Sequence, residues 1–149
     1  EYYFAIMAVG PYTHELDWLI GFRFHSPERR DYDWVFYFDR RASLVVECLW
    51  RFIEDGRIRF TSLDDAHQFG RPAPVDLTAE IIPRLASATI DAIDLSTGVL
   101  DLAIHFGPKY TLQVIPNSAG YEAWNVSDQS RQFIAQGGGQ LVVFDESGN

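Results

Sequence analysis

The chain has one thiol, Cys48, and thiolate chemistry there would need a histidine or another cationic group beside it and access to solvent. Strand alternation puts Cys48 on the face of Leu44 and Val46, so it reads as a small buried hydrophobe. The histidines His14, His25, His67 and His105 lack the i, i+4 helical spacing of a zinc-binding pair. The run Asp64-Asp65-Ala66-His67 offers carboxylates and an imidazole to a divalent metal, which would be the seed of a hydrolytic or metal-dependent enzyme; a solvated loop accounts for the same residues. There is no Gly-x-Ser-x-Gly elbow, and Gly137-Gly138-Gly139 lacks the Lys-Ser/Thr that completes a phosphate loop, so it reads as a flexible connection. The sequence therefore assigns no catalytic residue, no metal site and no cofactor.

Residue types suited to recognition are easier to find. Asn117-Ser118-Ala119-Gly120-Tyr121-Glu122-Ala123-Trp124 places a turn, two large aromatic rings and a carboxylate in succession, with Cys48-Leu49-Trp50-Arg51-Phe52 as its counterpart earlier in the chain. Tyr and Trp are favoured interface anchors, and an acid beside them suits a basic partner, although Tyr121 and Trp124 would equally serve to close a core. Asp31, Asp33, Glu54, Asp55, Asp64, Asp65, Glu122 and Trp124, all near turns or strand ends, form the candidate partner-binding set. A second possibility is a small-molecule pocket lined by Tyr37, His105 and Trp124, because Tyr37 and His105 occupy matching places in two related segments.

Those segments belong to an internal repeat. Residues 33–46 overlay residues 101–114 without a gap, and the apolar and turn positions coincide. Trp34, Phe36 and Phe38 alternate like Leu102, Ile104 and Phe106; four turn residues follow; then Leu44 and Val46 alternate like Leu112 and Val114. Further strands are expected upstream, at 20–24 and 90–95, and downstream, at 57–60 and 121–126. The unit is thus a meander of about four strands used twice, over residues 20–61 and 90–127. Between the copies, the Pro- and Gly-bearing stretch 68–75 should be a loop, and Asp76 should cap a short helix over 77–86 that Pro83 limits. Strands at 2–9 and 141–144 flank the repeats. The expected fold is mainly β (α+β): two pseudo-repeated antiparallel meanders forming a sandwich or partly open barrel in one domain, residues 1–149, with one short helix between the repeats. Phe22, Phe24, Trp34, Phe36, Phe38, Leu44, Val46, Ile93, Leu102, Ile104, Phe106, Leu112 and Val114 should face inward.

Composition narrows the classes. With 149 residues, 47% hydrophobic and 15% aromatic, the chain can bury a genuine core, and it is not a disordered polymer. One cysteine excludes a disulfide framework. Twenty-one acidic against 12 basic residues give a net charge of -9, which argues against direct binding to nucleic acid phosphates. Runs such as Leu141 to Phe144 fall far short of the roughly 20 apolar residues of a spanning helix, so no membrane partner is expected. No basic segment followed by an apolar one and a small-residue cleavage site opens the chain, and a cytoplasmic location is expected.

The runs Trp34-Val35-Phe36-Tyr37-Phe38, Trp50-Arg51, Leu102 to Gly107 and Gly120-Tyr121-Glu122-Ala123-Trp124 resemble small bacterial proteins of unassigned biochemistry, some encoded beside polymorphic or contact-dependent toxins and regarded as immunity proteins. The resemblance covers about residues 20 to 126 and transfers no active site. It implies a job: binding one cognate toxin, such as a basic nuclease, and blocking it. A strongly acidic protein meets a basic toxin quickly, since complementary fields steer the encounter. Pairing of exposed β-edges would also permit a homodimer.

Overall fold

The computed structural model describes residues 3–5 and 10–147. In chain order the described strands are β1 (Tyr3–Ala5), β2 (Tyr12–Thr13), β3 (Phe24–Arg29), β4 (Trp34–Phe38), β5 (Ser43–Val46), β6 (Leu49–Glu54) and β7 (Arg57–Thr61). Helix α1 (Leu77–Arg84) follows, and then β8 (Ala92–Ser96), β9 (Leu102–Phe106), β10 (Tyr110–Ile115), β11 (Trp124–Ser127), β12 (Arg131–Gln136) and β13 (Gln140–Asp145). Two antiparallel sheets result, seven strands in the order β1-β13-β12-β11-β5-β4-β3 and six in the order β2-β8-β9-β10-β6-β7. They stack as a sandwich, and neither closes into a barrel. Of the strand expected over 2–9, Tyr3–Ala5 is described and pairs with β13; residues 2 and 6–9 lie outside the described residues.

Each repeat is a hairpin-built unit, but it is not a four-strand meander within one sheet. β3-β4-β5 lie in the seven-stranded sheet, after which the chain bends at Glu47-Cys48 and β6-β7 join the six-stranded sheet beside β10. The second copy mirrors this: β8-β9-β10 lie in the six-stranded sheet, and β11-β12 cross back to pair with β5. The two units thus exchange their terminal hairpins. Alternation conceals the crossing, because Leu44, Val46, Trp50 and Phe52 stay in one period-2 phase across the bend and are all buried. Trp50 opposes Val114, and Trp124 opposes Val46, so the two tryptophans hold equivalent places and both are wholly buried.

Residues 20–24, expected as a strand, instead leave a 3-10 turn at Asp17–Leu19 and run across the start of the second copy. Gly21 N donates to Ile90 O at 2.7 Å, and Ile90 N to Phe22 O at 2.8 Å. Phe22 and Ile90 are separated by the same 68 residues as Asp33 and Asp101, so the pseudo-twofold passes between equivalent positions. The strand proper begins at Phe24 and includes Pro27, tolerated because β3 is a sheet edge.

All thirteen residues expected to face inward are buried. Phe38 and Phe106 stack across the two sheets with centroids 6.4 Å apart and planes 12° apart, and Phe24 stands edge-on to both. The rings of Trp34 and Phe36 meet Trp50 edge to face at 5.1 and 5.2 Å. Asp76 caps α1 by accepting from Ala79 N at 3.1 Å, and Leu77 and Ile81 bury its inner face. The helix stops at Arg84, two residues earlier than the capping pattern indicates, just after Pro83.

The glycine run 137–139 is no flexible tether. It forms the β12–β13 turn, and its backbone packs directly on two neighbouring loops. A Cβ on Gly137 would stand 2.6 Å from the Gly120 carbonyl carbon, and one on Gly139 would overlap the Gly98 carbonyl oxygen. These contacts seat the β10–β11 loop, which carries Tyr121 and Glu122.

Candidate functional site

The candidate acids fall at two ends of the sandwich and mostly have work already. At the β6–β7 end, Glu54 accepts from Arg84 Nε at 2.8 Å, and that bond holds its carboxyl below the usual glutamate range. Asp55 occupies a left-handed turn position there, its N–H donating to Lys109 O at 2.9 Å. Asp64 caps a 3-10 turn by accepting from Thr61 N, while Asp65 accepts from Leu77 N at 2.9 Å and from Arg29 at 2.6 Å. His67 stacks on Phe69 at 5.7 Å, and among the described residues no group of three or more His, Cys, Asp or Glu is placed to hold a metal. The Asp64-Asp65-Ala66-His67 run is therefore a hydrogen-bonded turn.

Two other expectations are corrected. Trp124 is wholly buried, its indole N–H donating to Leu100 O at 3.0 Å, so it cannot touch a partner from the folded state. Tyr37, His105 and Trp124 do not share a pocket. Tyr37 lies on the outer face of the seven-stranded sheet, donating to Glu28 at 2.6 Å. His105 lies on the outer face of the six-stranded sheet, bonded to Asp94 and Thr111 at 2.8 and 3.0 Å. Alternation sends each ring away from the interior that Phe36, Phe38, Ile104 and Phe106 fill.

Asp31, Asp33 and Glu122 do converge, together with residues that sequence reasoning missed. The β3–β4 turn is closed by Arg30 N donating to Asp33 O at 2.8 Å and by the Arg30 guanidinium forked onto Asp33 at 2.6 and 2.7 Å. At its tip Tyr32 is 94% exposed. In the β10–β11 loop the Ser118 hydroxyl accepts from the N–H groups of Gly120 and Tyr121, and Tyr121 is 81% exposed. Glu47 sits at the sheet-crossing bend, where its N–H donates to Ala123 O at 2.8 Å. Tyr32, Glu47, Asn117, Ser118, Tyr121 and Glu122 line a cleft of about 200 Å³. A second cleft of about 210 Å³, lined by Arg30, Asp31, Asp33 and Cys48 among others, shares Tyr32 and Glu47 with it.

The electrostatics of the first cleft are lopsided. Among the described residues its walls hold two carboxyls and no basic side chain. The Glu122 carboxyl is raised above the usual glutamate range by burial, by the charge of Glu47 and by a hydrogen bond to Glu47. The nearest guanidiniums, Arg29 and Arg30, are held by Asp65 and Asp33. Burial pushes the Cys48 thiol up to about 12, so it is protonated at neutral pH and is no nucleophile there.

Known proteins offer no guide. No protein-family model, curated protein or solved structure matches this chain. The functional reading rests on the cleft itself. Among the described residues no helix is long and apolar enough to cross a membrane. Tyr32 could have been noticed in the sequence as an aromatic ring between two acids in a turn; Glu47 could not, because alternation disguises the bend that exposes it.

Proposed function

We propose that this chain is a non-enzymatic, cytoplasmic immunity-type protein that binds one basic toxin and covers its working surface. The observation carrying the reading is the loop end of the sandwich, where exposed Tyr32 and Tyr121 flank Glu47 and Glu122 and, among the described residues, no cation lines the cleft with them. Exposed tyrosines supply large contact area at low entropic cost, and the surrounding acids attract a basic surface. The net charge of -9 extends that attraction beyond contact distance. A carboxyl pair can also serve acid–base chemistry, but these two lie on open loops beside a protonated thiol, an arrangement better suited to capture than to turnover.

Co-expression tests the reading. The product of the gene immediately upstream should arrest growth when expressed alone and be neutralised, in a one-to-one complex, by this protein. A harmless neighbour, or arrest that this protein does not relieve, would count against the role.

A second reading, a small-molecule-binding module, is supported by a different feature. A groove of about 200 Å³ on the outer face of the six-stranded sheet is lined by Tyr12, Arg51, Asp94, Ser96 and Gln113. Arg51 Nε and Gln113 Oε1 are buried there without hydrogen-bond partners. A thermal shift with a metabolite panel, abolished by Arg51→Gln, would favour it.

A further inference from the structure

We infer that the cleft between Tyr32 and Tyr121 receives a single arginine or lysine side chain of the protein partner, whose cation sits against the Glu47 and Glu122 carboxyls that line it. This assignment rests on the docking role proposed above and states its chemistry.

The argument begins with shape. Three separate connections meet at the cleft: the β3–β4 turn brings Tyr32, the β5–β6 bend brings Glu47, and the β10–β11 loop brings Tyr121 and Glu122. Each is fastened independently, by the Arg30–Asp33 fork, by the Glu47 N–H to Ala123, and by the Ser118 hydroxyl together with the Gly137 contact. The cleft is therefore a standing feature of the fold. Its volume of about 200 Å³ suits one long side chain.

Charge selects the occupant. Tyr32 and Tyr121 line the cleft with the two glutamates, and Glu47 is shared with the second cleft, whose walls carry Arg29 paired to Asp65, Arg30 paired to Asp33, Asp31 and the protonated Cys48. Asp101, on the β8–β9 connection, adds negative charge near Cys48. None of these supplies a free cation. Two carboxyls lining one small cleft repel each other, and a guanidinium or ammonium between them relieves that repulsion with charge-assisted bonds. Aromatic faces on both sides of the opening add cation–π attraction, which favours arginine's flat, weakly hydrated guanidinium.

Proton balance follows. The Glu122 carboxyl is held above the usual glutamate range by burial and by the charge of Glu47, so an entering cation favours its ionised form, displaces to solvent whatever proton it carries, and binds more strongly as pH rises through that range. A neutral isostere would have nothing to exchange.

The experiment uses the whole chain and capped amino acids as probes. Nα-acetyl-arginine amide, Nα-acetyl-lysine amide and the uncharged Nα-acetyl-citrulline amide are titrated into 15N-labelled protein at several pH values. Saturable shifts confined to the amides of Tyr32, Glu47 and Gly120 to Ala123 are expected with the two cations, stronger at higher pH, and absent with citrulline. Glu47→Gln and Glu122→Gln should each weaken binding at least tenfold while leaving the rest of the spectrum in place. Equal shifts from citrulline, no saturable shift from either cation, or unchanged binding in both glutamine variants would overturn the assignment. Its failure is separable from that of the docking role: a toxin complex indifferent to both glutamine variants sinks the cleft alone, and a cleft that takes capped arginine without any toxin complex sinks the docking role alone.

Discussion

Phe38 and Phe106 stack on one another at 6.4 Å across the centre of the sandwich, and they are the same position in the two copies of the repeat. A twofold relation between the copies requires such self-pairing of equivalent residues. Phe22 and Ile90 show it again in the backbone pairing at the axis. The exchange of terminal hairpins then locks the copies together, because neither sheet can be completed by one copy alone.

Core truncation measures that lock. Phe38→Ala and Phe106→Ala should each cost about 3 to 5 kcal/mol in denaturant unfolding, the usual range for a buried phenylalanine. The double variant should fall short of additivity by about 0.5 to 1.5 kcal/mol, the worth of an aromatic pair beyond its burial. Strict additivity would mean that the stack contributes nothing of its own.

Much of this architecture was legible before any coordinates. Period-2 alternation placed Trp34, Phe36, Phe38, Leu102, Ile104 and Phe106 inside, because half-buried strands impose that period. It failed at Glu47-Cys48, where the buried face keeps its phase while the chain changes sheets. The cleft was only partly legible. Glu122 and the acids of the β3–β4 turn stand out by type, but the pairing of Glu47 with Glu122 and of Tyr32 with Tyr121 joins segments far apart in sequence, and no local pattern encodes it. The role of Gly137 was hidden for the same reason, since a glycine needed for a close backbone approach looks like a glycine in a flexible tether.

Gly137 and Gly120 offer a matched comparison. Neither has a left-handed φ, yet a Cβ at Gly137 would press on the backbone of residues 119 and 120, whereas one at Gly120 would meet open space. Gly137→Ala should therefore destabilise by about 1 to 3 kcal/mol, and Gly120→Ala should stay within about 0.5 kcal/mol. Amide shifts should move across the whole 117–123 loop in the first variant, and in Gly120→Ala should be confined to its immediate sequence neighbours.

Stability should fall with rising pH in one identifiable window. Glu122 has a raised pKa in the folded state, so the folded protein binds a proton that the unfolded chain releases at lower pH. The stabilising contribution is fully present below the ordinary glutamate pKa and is lost as pH rises through the Glu122 value. In thermal unfolding, Glu122→Gln should remove this slope and raise Tm at neutral pH, although it weakens cation binding. A stabilised variant that binds less well is what a functional charge pair predicts; a merely structural carboxyl would lose stability.

Cys48 should resist alkylation. With its thiol pushed up to about 12, it has little thiolate at neutral pH, and its side chain is half-buried. Iodoacetamide should modify the native protein far more slowly than the urea-unfolded chain. Rapid native labelling would contradict the burial of the bend.

The most direct test of the central claim is the affinity of this protein for the product of the gene immediately upstream, the proposed toxin, measured by titration calorimetry for the wild type, for a Tyr32→Ala/Tyr121→Ala double variant and for Asp55→Asn at the opposite end. The account predicts at least a hundredfold loss in the double variant and a change under about threefold in Asp55→Asn, in keeping with exposed aromatic anchors outweighing a peripheral charge. Wild-type affinity in the double variant, or a larger loss from Asp55→Asn, would place the binding surface elsewhere.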